Sequence, residues 1–389
     1  MNTDLNLYFD YAAATPMDAA VLAAMQPYFF DSFYNPSATY LPAQAVRNDL
    51  ETARSGIAAI IGAKRSEIIF TAGATEANNL AIRGVMEQFS ASNVVVSAIE
   101  HESVLRPAEV SEHRVAPVDA AGIIDIARLA DCIDEQTVLV SVMYANNEVG
   151  TVQPIRAIAR LIEKIRRQRQ ANGNSLPLYL HSDAAQAATY LDLHASRLGV
   201  DMMSLNGGKI YGSKQSGILF VGSHVNVLPL ISGGGQERGL RSGTENVAGA
   251  IGLAKALELV QAHRHEESQR LRMLQKLFVE QLKTRLPQAV INGSIKERLP
   301  NNVHITIPGT DNERLILELE QQGILCAAGS ACSASNEEPS HVLRAMGLSD
   351  DQARSSLRFS MGKYTDESAI RLVVTALAEV IKNINPLKQ

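Results

Sequence analysis

Ile68-Ile-Phe-Thr71-Ala-Gly-Ala-Thr75-Glu-Ala-Asn78 is the stretch whose reading decides the fold. A short run, apolar on both faces, passes through a glycine turn into the start of a helix. Strands apolar on both faces belong to sheets covered by helices on either side. The pattern recurs outward from this point. Val94–Ala98, Val138–Met143, Leu178–His181, Met202–Leu205 and Gly217–Val221 read as further strands. Between them, Val46, Leu50, Ala53, Ile57 and Ile60 form one apolar helical face, and Ile155, Ile158, Ile162 and Ile165 form another behind Pro154. The alternation predicts an α/β layer with a mostly parallel sheet.

Past Ala262 the texture changes. Leu274, Phe278, Leu282 and Leu286 line a helix that is charged on its other faces. A turn at Asn292–Gly293, strands at Val303–Ile307 and Ile324–Ala327, and a helix over Asn312–Gln322 follow. Ile370, Val373, Leu377, Val380 and Ile384 mark a last helix. The expected division is a large domain over residues 15–262 and a small α+β domain from residues 1–14 and 263–389.

The 389 residues carry a formal net charge of -5, so no global basic field invites nucleic acid. Neither a secretory leader nor a run of apolar residues long enough to span a membrane is visible. Cys132, Cys326 and Cys332 form neither a disulfide framework nor a CxxC metal set, so no metal is expected and the cytoplasm is the expected compartment.

Functional groups of open α/β sheets gather beyond the carboxyl ends of strands. Five such ends are chemically distinctive. Thr71–Asn78 aims backbone N–H groups near Ala74 and Thr75 at one point, as an anion site does; a plain capped turn has the same residues. His101 suits ring stacking, proton transfer or a structural role. Asn146-Asn147-Glu148 offers amides or ordinary turn chemistry. Asp183, with Gln186 beyond it, needs a partner such as a protonated ring nitrogen, or caps a helix. Lys209, in Asn206-Gly-Gly-Lys209-Ile-Tyr-Gly212, is either a sheltered amine nucleophile or a hairpin lysine.

The order phosphate turn, ring-stacking residue, Asn, Asp, Lys resembles the large domain of fold-type I pyridoxal 5'-phosphate (PLP) enzymes. Tyr8-Phe-Asp-Tyr-Ala-Ala-Ala-Thr-Pro16 resembles the opening motif of cysteine desulfurases. Ala328-Gly-Ser-Ala-Cys332, followed by Glu338-Pro-Ser-His-Val-Leu-Arg-Ala-Met-Gly347, resembles their active-cysteine loop, in the form of the housekeeping iron–sulfur-cluster subgroup. Gly233–Thr244 and Ser355–Gly362 match as well, so the resemblance covers nearly the whole chain.

The resemblance implies the roles. Lys209 carries the PLP imine and later acts as base. Asp183 pairs with the ring nitrogen, Gln186 with the ring hydroxyl, and Asn147 lies near that edge and the substrate. His101 stacks on the ring and relays protons. Ala74, Thr75 and Asn206 lie at the phosphate. Thr244 reaches the phosphate of a neighbouring subunit, which implies a homodimer. Arg358 clamps the carboxylate of L-cysteine. Cys332 takes the sulfur as a persulfide and passes it to an acceptor protein for cluster assembly or tRNA thiolation. Selenocysteine lyase, another class-V enzyme and a degenerate sulfur-relay scaffold are the competing implications.

Relatives read Ser-Gly-His-Lys where this chain reads Asn206-Gly-Gly-Lys209. Gly208 stands where a histidine holds phosphate, and one hydrogen bond to a charged group is worth about 1.5–3 kcal/mol. Asn206 is a candidate replacement donor. The basic run Lys164-Ile-Arg-Arg-Gln-Arg169 reads as a solvated helix end rather than an RNA contact.

Overall fold

The computed structural model describes residues 5–329 and 338–384. Seven strands form the main sheet: β1 (Ile68–Thr71), β2 (Asn93–Ser97), β3 (His113–Ala116), β4 (Thr137–Ser141), β5 (Tyr179–Asp183), β6 (Met202–Asn206) and β7 (Gly217–Val221). Their order is β1-β7-β6-β5-β4-β2-β3. Only β7 runs against its neighbours; the other adjacent pairs are parallel.

The pleat sorts the strand residues into two cores. Val95, Val140, Leu180 and Met203 face one side, where Ile57 and Ile61 of α1 (Leu41–Ile61) and Ile158 and Ile162 also pack. Val94, Val96, Leu139 and Met202 face the other, against Leu80 and Val85 of α2 (Ala74–Met86). This double burial explains why these strands are apolar without alternation. β3 was not expected, because His113-Arg-Val-Ala lies at the sheet edge and is largely exposed. The strand set therefore confirms the mostly parallel α/β sheet.

A second sheet, in the order β10-β9-β8, comprises β8 (Val290–Ile291), β9 (Asn302–Thr306) and β10 (Ser356–Ser360). Its core joins Phe278 and Leu282 to Ile305, Phe359, Ile370 and Leu377. Phe9 belongs to this core although it lies at the opposite end of the sequence. The expected strand Ile324–Ala327 is reduced to single bridges, Leu325 to Tyr8 and Ala327 to Arg358. Two different partners hold it at single points, so no ladder propagates.

One further expectation needs correction. Arg169 is not part of a solvated helix end. It is buried and donates to the carbonyls of Asp134, Thr137 and Pro177, tying its helix to the loop before β4. No helix among the described residues is long and apolar enough to cross a membrane, and no cluster of metal-ligating side chains occurs among them.

Candidate active site

One cleft beyond the carboxyl ends of the central strands is lined by Ala74, Thr75, His101, Asn147, Asp183, Gln186, Asn206, Lys209 and Arg358. Nine of the eleven residues singled out in the sequence thus meet in one place.

At one end, β1 turns through Gly73 into α2. Gly73 has φ 138° and ψ 178°, a conformation nearly closed to residues with a Cβ. No side chain caps α2, so its first N–H groups point outward unclaimed by a cap. Glu76 instead accepts from the Ala72 N–H and pairs with Arg241. A helix start of this kind suits an anion.

Lys209 lies in the connection between antiparallel β6 and β7, in a single 3₁₀ turn at Gly207–Lys209. Asn206 Oδ1 accepts the Gly208 N–H at 3.0 Å and caps the turn. The amide NH2 of Asn206 makes no other hydrogen bond among the described residues, and it remains a donor at the cleft wall. Lys209 Nζ donates to the carbonyls of Ala12 and Ala13 at 2.8 and 2.6 Å. Gln186 Nε2 donates to the same Ala12 carbonyl at 2.9 Å. The opening motif Tyr8–Pro16 is thus a wall of the site.

Asp183, at the end of β5, is 6% exposed and accepts from Asn78 Nδ2 at 2.7 Å and the Ala185 N–H at 2.9 Å. It has no cationic partner among the described residues. Asn78 Nδ2 also donates to Ser103 Oγ at 2.9 Å, and Ser103 Oγ lies 2.8 Å from His101 Nδ1. The Ser103 N–H donates to the same His101 nitrogen at 3.1 Å. Nδ1 is therefore an acceptor, and the neutral ring carries its proton on Nε2. His101 also caps α3 (Glu102–Glu109), so capping and a place in the cleft are one arrangement rather than alternatives.

Beside them, Glu100 is fully buried. Burial pushes its carboxyl well above the usual range, and the nearby Asp183 adds to the effect. Its Oε1 accepts the Met143 N–H at 2.7 Å, while Oε2 has no partner among the described residues.

Arg358 reaches the cleft from the middle of β10. Nη2 donates to Asp10 Oδ1 at 2.6 Å and Nη1 to the Asn147 carbonyl at 3.0 Å. The side chain is 1% exposed, and its buried Nε has no partner among the described residues.

The sequence reading missed Asp10, Asn78 and Ser103. Asn78 lay inside the quoted stretch, one helical turn beyond Ala74, so helical spacing already placed it on the same face. Asp10 and Ser103 gave no such signal, because their partners are remote in sequence or lie across a cap.

Thr244 is exposed and outside this cleft, in the segment that carries Arg241. Cys332 lies outside the described residues. Of the other two cysteines, burial pushes the Cys326 thiol up to about 12, and burial also raises that of Cys132. Residues flanking 330–337 are tied to the cleft rim. Ala327 exchanges backbone hydrogen bonds with Arg358, Ser340 Oγ donates to Glu148 Oε2 at 2.5 Å, and His341 Nε2 lies 2.9 Å from the Glu100 carbonyl.

The model of the family described as aminotransferase class-V matches residues 7–373. "Cysteine desulfurase IscS" of Dictyoglomus turgidum is 37% identical over 393 residues, covering 98% of this chain and 97% of the relative. The chain belongs to the cysteine desulfurase family. "Cysteine desulfurase IscS 1" of Archaeoglobus fulgidus is 38% identical, with 98% and 99% covered. A solved structure titled "NIFS-LIKE PROTEIN" superposes with a TM-score of 0.88 at 31% identity, over 97% of this chain and all (100%) of the other. "SspA in complex with cysteine" superposes with a TM-score of 0.79 at 34% identity, over 92% and 99%. For this cysteine desulfurase relative the fold-type I architecture follows from those likenesses.

Proposed function

We propose that this member of the family is a PLP enzyme that takes the sulfur of L-cysteine, leaving L-alanine and a persulfide on Cys332. The observation that carries the reading is the convergence of a helix-start anion cradle, a buried carboxylate with no cationic partner among the described residues, a lysine amine and an arginine held by Asp10 on one cleft. That donor set fits a phosphate-bearing pyridinium aldehyde together with an amino-acid carboxylate.

Ala74, Thr75 and the Asn206 amide hold the phosphate. Asp183, steadied by Asn78, would pair with the ring nitrogen. Gln186 would address the ring hydroxyl and Asn147 the substrate side of that edge. Lys209 would hold the cofactor aldehyde, and its amine would take the proton from the substrate Cα and return one at the end. His101 would stack on the ring and move protons through Nε2. Arg358, held by Asp10, clamps the substrate carboxylate. Bound PLP supplies an electron sink for the pair released at Cα. The Cys332 thiolate would attack the substrate sulfur: the S–S bond forms, the Cβ–S bond breaks, and Cβ and then Cα are protonated to give alanine. The elimination of Cys326 and Cys132 and the tethering of both flanks of 330–337 to the cleft rim support this role.

A homodimer completes the site in this reading, with Thr244 serving the neighbour's phosphate. Phe29, Phe30, Phe33, Tyr40 and Leu41 are exposed in one short segment. A cavity lined by Pro36, Ser37 and Gly234–Arg238 joins that region to the Thr244 segment, which suits an apolar subunit interface. The large domain is residues 15–262 and the small domain residues 1–14 with 263–389. The persulfide goes to an acceptor protein for cluster assembly or tRNA thiolation, in the cytoplasm.

The test is Cys332→Ser. The variant is expected to bind PLP as the parent does and to lose alanine production from cysteine. Undiminished alanine production would remove Cys332 from the reaction.

A further inference from the structure

α4 (Ile155–Ala171) and the short helix Ala195–Leu198 form the walls of a groove of about 820 Å³ that the reaction does not use. Arg156, Arg160, Lys164, Arg167 and Arg197 line it, with Glu163 as its one acidic residue. Arg167 is paired with Glu163 and Arg197 with Asp192. Arg156, Arg160 and Lys164 form no ion pair among the described residues.

Arg156 stands against what helix stability asks for, and the row it begins crowds like charges. A helix N-terminus carries partial positive charge, so cations belong in the last turn. Arg156 is in the first turn and Arg160 in the second. Successive members of the row Arg156, Arg160, Lys164 are four residues apart, where like charges face and destabilise one another. A solvated helix end accounts for Arg167, close to the C-terminus, but not for this row. The row is favourable only when something anionic covers it.

We infer that the groove is a docking site for an acidic segment of a partner protein. Charges four residues apart on a helix rise about 6 Å along its axis, a spacing that carboxylates on a partner helix match. No aromatic side chain lines the groove, so it offers no stacking platform for bases. The chain as a whole carries a net charge of -5. A long polyanion such as RNA meets repulsion as soon as it leaves the groove, whereas a short acidic segment meets only the basic row. Screening over about 8 Å at physiological salt keeps these two fields apart.

The experiment uses the PLP-loaded enzyme and a fluorescein-labelled peptide of about twelve residues with Glu at every third and fourth position. Anisotropy is expected to show binding at low salt that weakens as salt rises. The double variant Arg156→Glu/Arg160→Glu should weaken it roughly tenfold or more, with alanine production unchanged. Lys276→Glu/Lys283→Glu on α5 (Arg264–Arg285) should leave peptide binding unaltered. The proposal fails if the peptide does not bind, if the α4 double variant binds it as the parent does, or if a single-stranded oligonucleotide of equal charge binds more tightly.

Discussion

Two glycines border the phosphate end of the cleft, and the backbone requires only one of them. Gly73 sits at φ 138°, and its turn is packed from below by Gly217, where a Cβ would lie 2.6 Å from the Gly73 Cα. Gly208 has no such constraint. A Cβ added there would meet Asn206 Oδ1 at 3.5 Å and the Lys214 Cα at 3.8 Å, both ordinary contacts. The first glycine is a demand of the fold. The second is a chemical choice, because the backbone there leaves room for a side chain. The phosphate end therefore combines a fixed backbone cradle with an adjustable set of side-chain donors.

The cradle can be broken from beneath. Arg54 and Glu237 form a two-bond ion pair with side chains 4% and 3% exposed, and Glu237 also accepts the Phe70 N–H just before the Gly73 turn. Glu237→Ala removes two bonds to a buried guanidinium that keeps Glu51 and the Ile68 carbonyl, and is expected to destabilise the protein by about 2–3 kcal/mol. Denaturant unfolding checks this; a loss below about 1 kcal/mol would mean that solvent rescues Arg54.

Gly73→Ala addresses the comparison directly. The strained φ should cost about 1–3 kcal/mol, and PLP binding should weaken by tenfold or more as the helix start shifts. Gly208→Ala should change neither by much. Equal effects in a PLP titration and a thermal melt would erase the distinction between the two glycines.

Gly208→His sharpens it from the other side. A restored donor to phosphate is expected to tighten PLP binding by about ten- to a hundredfold, with the melting temperature of the apo form unchanged. Unaltered affinity would indicate that Asn206 already fills that role.

The smallest effect lies in the floor that carries the cradle's partner strands. His181, in β5, is fully buried between Ser141 Oγ and Ser204 Oγ, and burial lowers its pKa from 6.5 to about 3. The unfolded chain binds a proton there below pH 6.5, while the folded chain stays neutral down to about 3. Stability from this group is thus full above pH 6.5 and falls as the pH drops toward 3. His181→Gln should flatten this part of the stability–pH curve, and a curve as steep as the parent's would assign the acid sensitivity to other groups, such as the buried His304.

The reach of sequence reading follows the same divide between backbone and partners. The strands of the main sheet were legible because burial on both faces leaves runs such as Val94–Val96 with no polar residue. Lys209, Asp183 and His101 were legible because strand ends give a polar residue a defined place. β3 was not, since an edge strand keeps polar side chains. Ser103 and Asp10 were hidden because each matters only through a contact the chain makes elsewhere: Ser103 with Asn78, and Asp10 with Arg358 across almost the whole sequence. Of the groove charges only Lys164, Arg166 and Arg167 lay in the quoted basic run; Arg156, Arg160 and Arg197 join them only through the shared helix face and the neighbouring short helix.

The central claim is that Lys209 anchors PLP in this cleft. The direct measurement is the visible absorbance of the purified protein after PLP is added and excess is removed, with Lys209→Ala alongside. The account predicts a band in the parent that is absent from the variant. A colourless parent, or a band that survives Lys209→Ala, would contradict it.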